Sequence, residues 1–253
     1  MDAGRSTADW RTPADYAFLA RCGRHAFAWE WLRRSVRYRD AVGDSTHAEA
    51  DASRFGLHRF EPAGSASDVA RPIWQGDADP HVLAAVAAPS RCGDDAFDFA
   101  GLAPLATCVD GDDGSEHWLW SDGTRHIRLD VAGHSLRSGP VALDFRIAGF
   151  ARALVQADTL GRLVRLARTG HLIPRLFAPE ARAARWVLVL RTHDALMAGA
   201  SQREIAEHLF DIGDVARWRV VASSDRERVR RLVTAARAAA RVDPRCWLDG
   251  SYP

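Results

Sequence analysis

Residues 199–241, GASQREIAEHLFDIGDVARWRVVASSDRERVRRLVTAARAAAR, restrict the fold more tightly than any other stretch of the chain. Gly199 is placed to end a preceding helix in the left-handed conformation, and the Ser201 hydroxyl can accept from the backbone N–H groups that follow it. Glu204, three residues on, completes a capping box. Ile205, Ala206, Leu209 and Phe210 then recur at helical spacing, leaving Gln202, Arg203, Glu207 and His208 on the wet side. Ser224 and Glu227 repeat the Ser-x-x-Glu device ahead of a second helix. There Val229, Leu232, Val233 and Ala236 form one apolar stripe that must be buried against a neighbour.

At roughly 100° per residue, Arg226, Arg230, Thr234, Arg237 and Arg241 share a different face of that second helix, flanked by Arg228 and Arg231. Guanidinium groups on a rigid helix present forked donors to phosphate oxygens and to the N7/O6 edge of guanine. Arginine on a helix is also ordinary solvated surface, and all 34 basic residues of this chain are arginine, so a single one carries little weight. The order carries more: a capped short helix followed by a capped basic helix is how a helix-turn-helix supports and then inserts its reading helix. The connection, residues 211–223, exceeds the three or four residues of a standard turn and must be an extended turn. Trp218 would plug that turn onto the core, with Arg217 and Arg219 facing solvent or DNA. The candidate DNA-binding set is therefore Gln202, Arg203, Arg217, Arg219, Ser224, Arg226, Arg228, Arg230, Arg231, Thr234, Arg237 and Arg241.

From Pro174, the run PRLFAPEARAARWVLVLRTHDALMAGASQREIAEHLF, followed by RVRRLVTAARAAAR, resembles the extended-turn helix-turn-helix domain of regulators carried on proteobacterial mobile elements. A second likeness lies near the start, in PADYAFLARCGRHAFAWEWLRRSVRYRDAV. Phe27 and Trp31 at i, i+4, with Leu32 and Val36 following, predict a helix with one rich face. Tyr16, Phe27, Trp29, Trp31 and Tyr38 are more ring surface than one short helical unit buries alone, which assigns part of them to another domain or protein. A small self-contained aromatic core is the alternative. The D-Y, W-E-W-L-R-R and Y-R elements resemble the small N-terminal regulator-like domain of full-length activators of conjugative-element transfer.

Antiactivator relatives, by the same resemblance, consist of the C-terminal module alone, so the N-terminal block argues for an activator. The resemblance implies control of genes for excision and conjugative transfer, double-stranded DNA as partner, and RNA polymerase and an antiactivator protein as further partners. A protein-binding regulator that keeps the scaffold without touching DNA is the alternative; such a relative should have lost its basic face.

Net charge is only +1, but it is unevenly spread. Residues 1–60 carry 10 arginines against 8 acids, 61–123 carry 2 against 12, and 124–253 carry 22 against 13. A basic C-terminal half suits a polyanion, and an acidic middle discourages indiscriminate collapse onto it. Between about 55 and 104 the text is rich in Gly, Pro, Asp and Ala, predicting loops with short strands and a linker near 61–68. LATCV, EHWLWS, RHIRLDV and PVALDFRI then alternate or run apolar between DGDDG, SDG and RSG turns, as antiparallel strands do. After 150 the period is helical, through Leu154, Leu160, Leu163, Val164 and Leu166, then from Pro179 through Trp186, Leu190 and Leu196. The expected class is α+β: an aromatic-rich helical unit (1–60), a loop-rich antiparallel β region (61–149) and a helical DNA-binding domain (150–253).

The four cysteines lack C-x-x-C spacing, and the histidines form neither H-x-x-x-H nor H-E-x-x-H, so neither a metal site nor a cofactor is expected. Asp110, Asp112 and Asp113 lack the distal glutamate of a calcium loop and fit a hairpin turn. No G-x-S-x-G, Walker or dinucleotide fingerprint supports an enzyme. The start, MDAGRSTADW, is polar and no apolar run reaches the roughly twenty residues of a membrane span, giving the expectation of a cytoplasmic protein without a membrane partner.

Overall fold

The computed structural model describes residues 8–43, 48–90, 93, 95–147, 149–210 and 223–252. After a 3₁₀ helix, Pro13–Arg21, come helices α1 (Arg24–Arg34), α2 (Val36–Gly43) and α3 (Ala48–Ser53). Strands β1 (Leu83–Pro89), β2 (Ala106–Asp110), β3 (Glu116–Ser121), β4 (His126–Gly133) and β5 (Val141–Arg146) follow. Helices α4 (Phe150–Thr169), α5 (Ala183–Met197), α6 (Gln202–Phe210), α7 (Ser223–Ala239) and α8 (Arg245–Leu248) close the order.

Turn chemistry sets the two hairpins. The Asp113 carboxylate accepts from the Ser115 amide at 3.0 Å while Gly114 takes φ +79°, so the acidic cluster is the β2–β3 turn. Between β3 and β4, Asp122 accepts from the amides of Thr124 and Arg125 at 3.0 and 2.8 Å, and Gly123 takes φ +93°. β2–β4 and β5 lie where the period-2 text predicted them. The sheet is not purely antiparallel, however: its order is β2-β3-β4-β1-β5, with β1 parallel to β4 and antiparallel to β5. The β2–β3 hairpin intervenes between β1 and β4, so the chain crosses over and returns in the same direction. The alternation of β1 is hard to see in sequence because alanine occupies both faces: Leu83, Ala85 and Ala87 are buried, Ala84, Val86 and Ala88 exposed.

Among the described residues, apolar surface collects in three places. Leu163 and Leu166 of α4 cover the sheet with Trp118, Trp120, Ile127 and Leu129. A helical core joins Phe27, Trp29, Trp31 and Tyr38 to Trp186 and Leu190 of α5, Leu232 and Ala236 of α7, and Trp247 of α8. A smaller cluster sets Trp10 against Ala195, Ile205, Ala206, Val229 and Val233. Three details depart from the periodicity. Ser35, at ψ 127°, ends α1 and leaves Val36 exposed on α2; Leu154 stays exposed on α4; and α5 opens at Ala183, after the 3₁₀ turn Pro174–Leu176, not at Pro179.

Candidate nucleic-acid interface

The residues around Gly199 place α6 at a fixed angle to α5. Gly199 has φ +77°, its N–H reaches Leu196 O at 3.0 Å and the Ala200 N–H reaches Ala195 O at 2.9 Å, the paired bonds of a Schellman cap. The capping box of α6 is formed: the Ser201 N–H donates to Glu204 Oε2 at 2.8 Å, and the Glu204 N–H to Ser201 Oγ at 3.3 Å. Ile205 and Ala206 are then buried against Val229 and Val233, so α6 braces α7 as the two apolar patterns require. Gln202 and Arg203 remain exposed at the start of α6, with Arg203 Nε 3.0 Å from Glu207.

On α7, Val229, Leu232, Val233, Ala236 and Ala239 are buried, while Arg226, Arg228, Arg230, Arg231, Thr234 and Arg237 are exposed. The predicted stripe and arginine face are both present, side by side on one helix. Two arrangements were not anticipated. Glu227 lies 2.8 Å from Arg230 and 3.8 Å from Arg231, which partly neutralises the face, and the Arg228 guanidinium sits 3.9 Å over the ring of Phe210. One expectation needs correction. α7 begins at Ser223, so Ser224 lies inside the first turn rather than ahead of it, and the Glu227 carboxylate turns toward the arginines further along the helix. Arg241 follows the helix end and lines a cavity with Arg37 and Arg54 of the N-terminal helices. The turn 211–222, with Arg217, Trp218 and Arg219, lies outside the described residues.

The five N-terminal aromatics are all buried within the chain. Phe27 meets Trp186 edge-on at 5.1 Å, and Trp31 stacks on Trp247 at 5.6 Å. Tyr16 Oη donates to Asp194 at 2.6 Å, Trp29 Nε1 to Ser65 O at 2.9 Å and Tyr38 Oη to Glu61 O at 2.7 Å. What periodicity could not find is the ionic clasp beside them. Arg34 of α1 donates through Nε and Nη2 to the two Asp194 oxygens of α5, each at 2.7 Å, and also to Glu30. Burial alone would push the Asp194 carboxyl up; Arg34 more than offsets it and holds it below the usual carboxylate range. Arg191, also buried, donates to Trp10 O at 2.9 Å and so ties down the segment that caps the α6–α7 cluster.

The fold also gathers histidines that the sequence leaves scattered, in the groups His25, Asp79, His81 and His58, His117, Asp130. In the second, Arg128 already occupies the carboxylate, with Nη2 2.9 Å from Asp130 Oδ1.

Residues 9–60 match the family model described as "Proteobacterial transcriptional regulator-like domain". Residues 143–245, from within β5 to the start of α8, match the model described as "T6SS, Transcription factor, DNA binding domain". No curated protein matches the chain. The two matches support a proteobacterial transcription regulator with DNA as its partner. Among the described residues no helix is long and apolar enough to cross a membrane.

Proposed function

We propose that this chain is a sequence-specific DNA-binding transcriptional activator of genes for excision or conjugative transfer of a mobile element, reading DNA with α7 in an extended-turn helix-turn-helix. The observation that carries the reading is the division of α7, within the matched DNA-binding segment, into a buried apolar stripe and an adjoining exposed face of Arg226, Arg230, Thr234 and Arg237. In this reading Arg226, Arg230 and Arg237 reach base edges. Gln202 and Arg203 at the start of α6 meet the phosphate backbone, as do Arg217 and Arg219 in the turn and Arg231 and Arg241 at the flanks. Ser224 at the start of α7 meets a phosphate, and Arg228 braces α7 on Phe210 within reach of one. The Glu227 pairing is no obstacle, because pairs this exposed contribute little and exchange readily for phosphate. The N-terminal match supports the activator over an antiactivator built from the C-terminal module alone.

One observation favours the protein-binding alternative. Phe150 and Leu154, one turn apart on α4 within the matched segment, are 101% and 82% exposed and offer an apolar contact to RNA polymerase or an antiactivator.

Binding to double-stranded DNA selected from a random-sequence pool tests the reading. Contact with four to six phosphates gives log affinity falling against log salt with a slope of roughly −4 to −5. Arg237→Glu and Arg230→Glu should each weaken binding by more than the about 1–3 kcal/mol of a lost base contact, since each also sets a carboxylate beside phosphates. Arg165→Glu on α4 should leave affinity near wild type. Folded Arg237→Glu and Arg230→Glu proteins that bind as wild type would remove α7 as the reader and favour the protein-binding alternative.

A further inference from the structure

His25, the neighbouring pair Asp79 and His81, and His126 are three sites far apart in sequence, and the crossover topology brings them to one end of the sheet. β1 and β4 run parallel in the register Leu83↔Leu129, so the residues that lead into them, Asp79 and His81 for β1 and His126 for β4, arrive at the same edge. α1 places its second residue, His25, over that edge.

The side chains converge there. Asp79 is fully buried, with Oδ2 2.7 Å from His25 Nε2 and Oδ1 3.0 Å from His81 Nδ1. The three donor atoms all lie within 4.8 Å of one another. The His126 ring stands edge-on to His25 with centres 3.7 Å apart, and the His81 ring is 5.1 Å from His25. A cavity of about 350 Å³, lined by His25, His81, His126, Thr159, Arg24 and Arg162, opens beside the cluster.

We propose that His25 Nε2, the Asp79 carboxylate and His81 Nδ1 bind one divalent first-row transition ion, Zn²⁺ being the fitting example, with a remaining position open to the cavity beside His126. Two imidazoles and one carboxylate are an N/O donor set suited to such ions and not to Mg²⁺ or Ca²⁺, which take all-oxygen shells. Ligand bonds of about 2.0–2.2 Å in a tetrahedral shell set donors roughly 3.4 Å apart, a spacing these atoms reach by small side-chain rotations. A buried carboxylate that needed only a counter-charge would be served by one imidazole. Here two bind it and a third packs against the first. Four arginines on the cavity wall have partners other than the donors: Arg24 pairs with Glu180 at 2.8 Å, Arg125 with Asp122 at 2.6 Å and Arg128 with Asp130 at 2.9 Å, while Arg162 lies 4.9 Å over the Phe177 ring. A bound ion would clamp α1, and with it the helical core, to the entry of β1.

The test is titration of untagged full-length protein, stripped with EDTA, with ZnCl₂ alone, followed by calorimetry, bound-metal analysis and thermal melting, with MgCl₂ as control. Expected are one Zn²⁺ per chain, a raised melting temperature, no response to Mg²⁺, and affinity lowered at least about tenfold in His81→Ala but unchanged in His117→Ala. Because His81 is partly exposed the variant should fold; if it does not, wild-type protein loaded with Co²⁺ alone decides. Ligand-field bands of a low-coordinate site support the proposal, and an octahedral spectrum overturns it. A folded apo protein without saturable Zn²⁺ binding, binding unaltered in His81→Ala, or binding lost in His117→Ala instead, would each overturn it.

Discussion

Gly123 shows how one residue holds two segments in register. At φ +93° a side chain is strained, and a Cβ there would stand 2.3 Å from the backbone oxygen of Asp68 in the preceding connection. Gly123→Ala should destabilise the protein by more than about 2 kcal/mol, read as a lower urea midpoint at unchanged slope. Titratable residues add a pH dependence. Burial and the neighbouring His117 lower the His58 imidazole to about 4, against about 6.5 in an unfolded chain. Between those values the unfolded chain takes a proton that the folded one refuses, so stability falls as pH drops from about 6.5 toward 4. Burial by itself would raise the Glu30 and Asp194 carboxyls, but Arg34 and its neighbours hold both below their ordinary values. That contribution is complete above the unfolded pKa values of about 4 and is lost as pH falls through the depressed folded values. Urea midpoints should therefore decline from pH 7 to 5 and again below 4, and His58→Gln should reduce only the upper decline without abolishing it, because burial lowers the His126 and His193 imidazoles as well.

At the scale of elements, α6 and α7 divide support from contact. Removing the α6 cap with Ser201→Ala should cost about 1 kcal/mol of stability. DNA affinity should then change only as far as α6 frays. Glu227 sits among the arginines of α7, so Glu227→Ala should leave stability nearly unaltered. It should raise DNA affinity modestly at low salt, with the gain vanishing as salt screens the face. An affinity loss on this substitution would mean that Glu227 orients Arg230 rather than opposing the DNA.

For the whole molecule, α1 is not an appendage to the C-terminal helices. It shares its core with α5, α7 and α8, centred on Trp247, which contacts Phe27, Trp31, Trp186 and Tyr252. Trp247→Ala should cost about 3–5 kcal/mol, and α1, α5 and α8 amides should lose hydrogen-exchange protection together. Preserved protection in α1 alone would show that it folds independently of the C-terminal helices.

Local signals determined the elements whose causes are local. The Ser201–Glu204 box, the left-handed Gly199, the Asp122-Gly123 turn and the Val229–Ala236 stripe each follow from residues within a turn or two, and each was legible in the sequence. The Arg226–Arg237 face was legible for the same reason, since helical period alone aligns it. The parallel placement of β1, the Arg34–Asp194 clasp and the meeting of His25 and His126 with the Asp79–His81 pair join positions about 45 to 160 residues apart. No period or spacing encodes such pairs. They exist only once the crossover has brought two strand entries to one edge and the aromatic core has fixed α1 against α5.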